Sequence, residues 1–325
     1  MNNFTVIKYH SNYFDVWNNF IRNSKNATFL FHRNFMEYHA DRFTDFSLMV
    51  FKKNTLVALL PANRNSHTVY SHQGLTYGGL VLKSDVKFNE VLEVFSSLLA
   101  FLNSENISHL EIKLMPLIYC DLPNDELSYL LFLLQAELVK KESLSVVNQR
   151  HKIAISNNRL EGVKRGVKHN LKVEESSDLD AFWNNILIPN LNRKHGALPV
   201  HSLDEIKQLH NHFPENIKQY NVYHEGALVA GTTMFITKNV AHCQYISGNL
   251  DKNTLGSLDF LFEKLINDVF VDKSFFDFGS SNANHGRAVN KGLQFWKEGF
   301  GARTVVQEVF SVKTANYKLL NSVMQ

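Results

Sequence analysis

The chain has 325 residues and a mass of 37.4 kDa; 44% of its residues are hydrophobic and 20% are charged. This apolar share can fill a sizeable core, and only 15 glycines and 6 prolines exclude collagen-like and low-complexity classes. The formal net charge of +3 is too small to indicate a nucleic-acid-binding protein from bulk charge alone.

Targeting and metal signals are missing from the sequence. Cys120 and Cys243 form neither a zinc spacing nor a disulfide framework, and the 15 histidines include no HExxH motif, so we expect no metal and a reducing compartment. The first ten residues lack the plan of a signal peptide. The most apolar stretch, 127–134, is far shorter than the ~20 residues of a membrane span. We therefore expect a cytoplasmic protein with no membrane span; the oligomeric state is not indicated.

Two short segments of the first half recur in the second half at a nearly constant offset. The pairs are Trp17-Asn18-Asn19 with Trp183-Asn184-Asn185, and Leu56-Val57-Ala58 with Leu228-Val229-Ala230. Each Leu-Val-Ala segment follows a turn signal, which predicts the second strand of a hairpin. A helix with an apolar stripe at i, i+3, i+4, i+7 spacing and a short strand then follow in both halves.

We interpret this series as a tandem duplication of one α/β unit. The predicted units are residues 1–148 and 149–325, each with a mixed, mostly antiparallel sheet flanked by helices. One large α/β domain with accidental echoes is the alternative. The second unit is the predicted donor-binding and catalytic half.

The order of helices, strand meander, helix and strand is that of the GNAT (acyl-CoA N-acyltransferase) fold. A tandem pair of such units resembles the Fem-type peptidoglycan aminoacyltransferases and the GNAT-like proteins of bacterial cell-surface biosynthesis. The resemblance covers nearly the whole chain. It is carried by the segments SHQGLTYGG (71–79), VKRGVKHN (163–170), FDFGS (276–280) and GLQFWKEGFG (292–301).

The resemblance implies an acyltransferase. Fem-type members transfer an amino acid from aminoacyl-tRNA to a peptidoglycan precursor, and wider relatives are acyl-CoA-dependent N-acyltransferases. Some Fem enzymes carry a long coiled-coil arm that grips tRNA, and this sequence has no sustained heptads for one.

Single-unit GNAT enzymes hold the pyrophosphate of coenzyme A on a glycine-containing loop that opens a helix, where backbone amides and the helix dipole meet the anion. The equivalent segment here is 249–257, between a predicted strand and a predicted helix. It lacks the full glycine pattern, so an ordinary capped helix start is the alternative. The residues assigned to the cofactor are Lys252, Asn253, Thr254, Gly256 and Ser257.

A basic helical face is predicted near residue 165. Lys164 and Lys168 share a row with Lys172, and Arg165 lies on the adjoining row. The opposite, buried stripe is predicted to be Leu160, Val163, Val167 and Leu171. We assign Lys164, Arg165 and Lys168 to binding of a phosphate-bearing ligand; a solvated face is the alternative.

Three residues are assigned to catalysis. Asp277 interrupts an apolar strand, where its carboxylate serves as a base, an orienting group or a loop cap. Lys297 matches a lysine implicated at the transfer site of the Fem family and is expected to stabilise an oxyanion; a surface lysine paired with Glu298 is the alternative. His195 is expected in a loop and suits removal of the amine proton.

Four more residues are assigned to the substrate. Arg193 belongs to the same predicted loop as His195, and Tyr245 lies with His242 on a central strand of the second unit. His72 and Tyr77 occupy the glycine-rich segment of the first unit.

The resulting hypothesis is N-acyl transfer from acyl-CoA to the amine of a cell-surface precursor such as an amino sugar. Aminoacyl-tRNA-dependent transfer to a peptidoglycan precursor is the first alternative, with tRNA as the partner. A non-catalytic protein that binds a nucleotide-linked ligand or a partner is the second, because the phosphate loop is imperfect.

Overall fold

The structure, a computed structural model, describes residues 4–324, except for the side chain of His195. The strands are β1 (Phe4–Lys8), β2 (Thr44–Asp45), β3 (Leu48–Lys52), β4 (Thr55–Leu60), β5 (Asn63–Asn65), β6 (Thr68–Tyr70), β7 (Val81–Leu82), β8 (His109–Lys113), β9 (Glu137–Asn148), β10 (Lys172–Ser176), β11 (Ile217–His224), β12 (Ala227–Ile236), β13 (Val240–Gly248), β14 (Phe275–Ser280), β15 (Asn282–Ala283), β16 (Ala288–Val289) and β17 (Arg303–Lys313). The α-helices are α1 (Phe14–Arg22), α2 (Arg33–Met36), α3 (Phe88–Ser104), α4 (Glu126–Leu133), α5 (Asn157–Lys168), α6 (Asp180–Phe182), α7 (Ile188–His195), α8 (Leu203–His212), α9 (Lys252–Leu255), α10 (Ser257–Lys264) and α11 (Lys291–Glu298).

Shorter helical turns of other pitch complete the elements. Two π-helical turns, Trp183–Leu187 and Leu265–Val269, extend α6 into α7 and continue α10. The 3-10 turns are Ser11–Tyr13, Phe29–Phe31, Glu37–His39, Leu117–Tyr119 and Thr314–Ser322.

The described chain forms two compact units. The first contains the residues up to Glu142 and those from Val306 onward, and the second is Ser143–Val305. The sequence places the boundary between residues 148 and 149 and assigns everything after it to the second unit. In the structure the last segment lies with the first unit because β17 pairs with β8, from Val309 opposite Lys113 to Lys313 opposite His109.

The first unit has two sheets, with strand orders β1-β3-β4-β7 and β17-β8-β6-β5-β2. Among the pairs that the structure describes in this unit, only β6 and β8 run parallel. The apolar face of α3 covers the core, since Val91, Phe95, Leu98 and Leu102 are all fully buried. The 3.6-residue period of its apolar positions is what buries one face of this helix.

The second unit has one sheet with the strand order β10-β11-β12-β13-β14-β9. Its described pairs are antiparallel except for β13 with β14. Helix α10 packs its apolar side, Leu261 and Phe262, into the core, and its π-helical continuation adds Leu265 and Ile266. The predicted fold class, an α/β protein with mixed and mostly antiparallel sheets flanked by helices, is confirmed.

The repeated segments occupy matching elements. Both Leu-Val-Ala segments lie on the second strand of a hairpin, β3–β4 in the first unit and β11–β12 in the second. Lys53 and Glu225 adopt positive φ values of 54° and 49° at the two turns, as tight hairpin turns require. Trp17 and Trp183 are both fully buried in helices.

The buried side of α5 differs from the prediction. Val167 is 61% exposed and Leu160 is 37% exposed, whereas Gly162 and Gly166 are buried. The two glycines face α10: a Cβ on Gly162 would lie 1.8 Å from Asp259, and one on Gly166 would lie 2.6 Å from Phe260. The helices approach so closely that only residues without a side chain fit between them. Lys172 is not part of this helix, which ends at Lys168, but opens β10.

We predict that Gly162→Ala lowers the free energy of unfolding by about 1–3 kcal/mol, because overpacking outweighs the helix propensity gained. The new methyl group would displace the Asp259 carboxylate, which accepts hydrogen bonds from Arg159 and Trp296. Urea unfolding measures the difference. Val167→Ala on the exposed side of the same helix is the control, and equal stability of the two variants would contradict the packing assignment.

Candidate active site

Two parallel strands part in the middle of the second unit. β13 and β14 pair only from Val240 opposite Phe275 to His242 opposite Asp277. Beyond this point β13 continues to Gly248 alongside β12, while β14 pairs with β9 through an irregular register between Asp277 and Ser280. The facing edges of the two strands therefore stop bonding to each other just after His242 and Asp277.

Gly279 lies at the parting of the strands and connects three side chains. Its φ of +70° is a left-handed conformation that favours glycine. Its N–H donates to Oδ1 of Asp277 at 2.7 Å, and its carbonyl accepts from Nζ of Lys297 at 2.9 Å. A Cβ at this position would lie 3.4 Å from Cε1 of His242, so the imidazole packs against the bare backbone.

Asp277 is fully buried, and both of its carboxylate oxygens are used. Oδ1 accepts from Gly279, and Oδ2 lies 3.0 Å from Nδ1 of His242. Its strand neighbours Phe276 and Phe278 point into the core, so alternation sends the Asp277 side chain the other way. Asp277 thus contacts both the loop backbone and the imidazole of His242, and its catalytic role stays a prediction.

Lys297 is only 2% exposed, so the alternative of a surface lysine is wrong. Its ammonium donates to the carbonyls of Gly279 and Ser280 at 2.9 and 2.8 Å, and Glu298 instead accepts from Gln294. Burial lowers the pKa of Lys297 to about 8, while Cys243 and Asp277 oppose that shift.

A second cluster collects positive charge where α7 ends and α9 begins. Burial lowers the pKa of Lys252 from its ordinary value, and the charges of Lys194 and Arg193 lower it further, so the three cations lie close together. Asn190, in the first turn of α7, connects this helix to the end of β13, because its amide donates to the carbonyl of Gly248 at 2.5 Å. Its side-chain oxygen accepts from Arg193 of the same helix at 2.6 Å. Among residues 4–324, no carboxylate forms an ion pair with any of the three cations.

The loop predicted for Arg193 and His195 is the last turn of α7, which ends at Gly196 with a φ of +57°. The expected loop is wrong because the π-helical turn Trp183–Leu187 carries the helix on to His195. Arg193 is exposed and joins the cationic cluster. The side chain of His195 is outside what the structure describes, so its assigned catalytic role stays a prediction.

The residues assigned to the cofactor start two successive helices. Lys252, Asn253 and Thr254 lie on the one-turn helix α9, and Gly256 breaks the chain direction with a φ of +69° before α10. Ser257 is fully buried, and its hydroxyl lacks a hydrogen-bond partner among the described residues. Lys252 belongs to the cationic cluster, and the cofactor roles of the other four stay predictions.

The basic face of α5 is exposed, as expected. Lys164 pairs with Glu161 at 2.7 Å on the helix surface, and Lys168 is also exposed. Arg165 lies beside the start of α10, since its Cβ would be 3.2 Å from a Cβ on Gly256. The binding roles assigned to these three residues stay predictions.

Tyr245 does not share a cluster with His242. Its hydroxyl lies 2.6 Å from Nδ1 of His201 and also accepts from the backbone N–H of His201. Its ring packs edge-on against Trp183. Burial raises the pKa of Tyr245 to about 12, so the phenol stays protonated.

His72 and Tyr77 are buried in the first unit. His72 has a φ of +90°, and burial together with the neighbouring His39 lowers its pKa to about 3. The hydroxyl of Tyr77 bonds to Thr28 at 3.0 Å. Their assignment to the substrate stays a prediction.

The sequence analysis did not select Lys194, Gly279 or His201, which contact candidate residues in the structure. Lys194 lies beside Lys252, Gly279 bonds to Asp277 and Lys297, and His201 bonds to Tyr245. Gly279 stands inside the FDFGS segment, but nothing in the sequence indicates that its two polar backbone groups serve different side chains. Lys194 precedes His195 in a basic run, and only the fold brings it to Lys252.

Among the described residues, no helix is long and apolar enough to cross a bilayer, and no group of three suitable side chains forms a metal site.

Comparison with protein-family models and with curated proteins gives no match. Solved structures do match. FemX is 11% identical with a TM-score of 0.67, over 99% of this chain and 100% of that one. The C-terminal domain of a putative lysylphosphatidylglycerol synthetase from Agrobacterium fabrum is 13% identical with a TM-score of 0.55, over 81% and 84%. L-PGS from Bacillus licheniformis is 11% identical with a TM-score of 0.51, over 81% and 85%.

These likenesses define the class of fold. The chain has a FemX-like architecture over nearly its whole length, which is the tandem GNAT-like fold that the sequence predicts. At such low identity the likeness extends to the fold alone.

We predict that Lys297 makes the stability of the protein rise with pH. Its pKa is about 8 in the folded chain against an ordinary 10.5, so the unfolded chain binds more protons between these values. The free energy of unfolding therefore gains up to about 1.4 kcal/mol per pH unit in this window. Urea unfolding of the wild type and of Lys297→Met at pH 7.5 and 9.5 measures it. The free energy of unfolding of the wild type minus that of the variant should increase with pH. A constant or decreasing difference would contradict the lowered pKa of Lys297.

Proposed function

We propose that the protein is an acyltransferase that moves an acyl group from a phosphate-bearing donor to an amine. The observation that carries this proposal is the parted pair β13–β14, with polar side chains at its base. Where β13 ends lie three cations, Arg193, Lys194 and Lys252, which form no ion pair with a carboxylate among the described residues. The amine of an amino sugar in a cell-surface precursor is the proposed acceptor.

The parted strands suit an extended donor. Backbone groups of β13 beyond His242 no longer bond to β14. They can hydrogen-bond an extended ligand that carries amides, as the pantetheine arm of coenzyme A does. The cations lie where the phosphates of such a ligand would end. Gathering three positive charges without a carboxylate is unfavourable in the absence of an anion, which supports a phosphate-binding role.

The base of the gap suits the chemistry of acyl transfer. The attack of an amine on a thioester or ester gives a tetrahedral oxyanion, which a fixed donor in a partly dry site stabilises. The ammonium of Lys297 uses two of its three N–H groups on Gly279 and Ser280. We assign the third to the oxyanion.

The matching place in the first unit is closed by its own chain. After Tyr70 the chain leaves the β6–β8 pair and returns at Gly78, which forms a parallel bridge to Leu114. The edge of β8 is used throughout: Ser71 donates to the carbonyl of Glu111, and Gly78 donates to that of Lys113. We therefore assign donor binding to the second unit alone.

Acyl-CoA is the proposed donor, because the edge of β13 beyond His242, which no longer pairs with β14, matches its amide-bearing arm. A second candidate, aminoacyl transfer from aminoacyl-tRNA, is favoured by the likeness to FemX and to a structure named for lysylphosphatidylglycerol synthesis. Both donors are acyl compounds that carry phosphates, so the cationic cluster serves either.

We predict that replacing Lys252 and Lys194 together by Gln weakens binding of acetyl-CoA by about a hundredfold or more, since each lost charge-assisted bond to phosphate is worth about 1.5–3 kcal/mol. Isothermal titration measures the dissociation constant at low and raised salt. Lys87→Gln, at an exposed lysine of the first unit, is the matched control. Acetyl-pantetheine, which has no nucleotide phosphates, should bind the wild type and the variant equally.

Each result bears on a different part of the proposal. If Lys87→Gln weakened the binding of acetyl-CoA as much as the double variant did, the cationic cluster would have no specific part in donor binding. Binding of aminoacyl-tRNA but not of acetyl-CoA, with the same sensitivity to Lys252, would select the second donor. Binding without any acyl transfer to glucosamine or to a peptidoglycan precursor would indicate a binding protein, and no binding of either donor would refute the function.

We also predict that titration with the donor saturates at one molecule per chain. The first unit offers no open strand edge at the matching position, because Ser71 and Gly78 occupy it. Two equivalent sites per chain would contradict this assignment.

A further inference from the structure

We propose that His242 is the general base that takes the proton of the attacking amine, and that Asp277 is its positioning residue. This inference rests on the proposed acyl transfer and assigns a residue that the function itself leaves open. His242 has no part in the cationic cluster, and it lies on the last pair of residues before β13 and β14 separate.

The hydrogen bond to Asp277 selects the tautomer of the imidazole. A carboxylate can only accept, so Nδ1 of His242 carries the proton that points to Oδ2 of Asp277 at 3.0 Å. Nε2 then carries the lone pair, which is the form that a general base needs. The side chain of His242 is 12% exposed while that of Asp277 is 1% exposed, so the histidine is the member of the pair nearer to solvent.

The backbone holds this pair in one arrangement. The N–H of Gly279 occupies the other oxygen of Asp277, which prevents the carboxylate from rotating away from the imidazole. The imidazole lies against Gly279, since a Cβ at that residue would be in van der Waals contact with Cε1 at 3.4 Å. Lys297 in turn fixes the carbonyl of Gly279. Base, orienting carboxylate and oxyanion donor thus meet at one glycine.

The proposed step is balanced in protons. The amine nitrogen forms a bond to the acyl carbon and gives one proton to Nε2 of His242. The bond from the acyl carbon to the sulfur or oxygen of the donor then breaks, and the imidazolium returns the proton to that leaving atom. The products are an amide and a neutral thiol or hydroxyl, and no other reactant is needed.

The test compares two acceptors in the full-length protein with acetyl-CoA as donor. His242→Asn keeps an N–H that can reach Asp277 but removes the base. Turnover with glucosamine should fall by about 10²–10⁴. Turnover with hydroxylamine should fall by less than about tenfold, because this weakly basic and strongly nucleophilic amine attacks readily and can lose its proton to water. The dissociation constant of the donor should not change.

The role of Asp277 is tested by a double-mutant cycle. Asp277→Asn should reverse the imidazole tautomer and lower kcat with glucosamine while leaving KM for the donor unchanged. In the His242→Asn background it should add no further loss, because Asp277 acts through His242.

Three results would overturn the inference. These are equal losses with both acceptors, an unaffected glucosamine reaction in His242→Asn, and independent multiplied losses in the double variant. A wild-type protein that acylates neither acceptor with either donor class would refute the proposed function itself, and the inference would fall with it.

Discussion

The conformation of Gly279 is the constraint on which the candidate site depends. Its left-handed backbone turns the N–H toward Asp277 and the carbonyl toward Lys297, so one residue serves a carboxylate and an ammonium at once. Any side chain here would strain the backbone, because its φ of +70° lies in the left-handed region. Asp277, His242 and Lys297 therefore all contact this one residue.

The second unit separates its charges into two kinds of environment. At the parting of the strands, Asp277 and Lys297 are buried and each uses neutral backbone groups, so neither is left without hydrogen bonds. At the end of β13, Lys194 and Lys252 lie near solvent and repel each other. The first arrangement fixes geometry, and the second creates a positive potential near the surface.

Sequence periodicity predicted the fold well, because apolar stripes and hairpin turns are local signals. It also singled out Asp277 as a candidate, since a carboxylate within an apolar strand breaks the alternation. The periodicity predicted the wrong buried face for α5. The close packing of this helix requires glycine, and glycine does not contribute to a pattern of apolar side chains. The periodicity could not join Lys194 to Lys252, which only the ends of α7 and β13 bring together. The burial of Lys297 was also hidden, since its partners are backbone carbonyls.

The assignment of β17 to the first unit has a consequence for synthesis on the ribosome. Val312 and Leu320 belong to the core of that unit, and Thr314 bonds to the carbonyl of Ile107. These residues emerge only after the whole second unit has been translated. Until then, the edge of β8 that later pairs with β17 is unpaired in the nascent chain and can pair with other strands. The first unit therefore completes its core last. The second unit, a continuous stretch of chain, can fold before it.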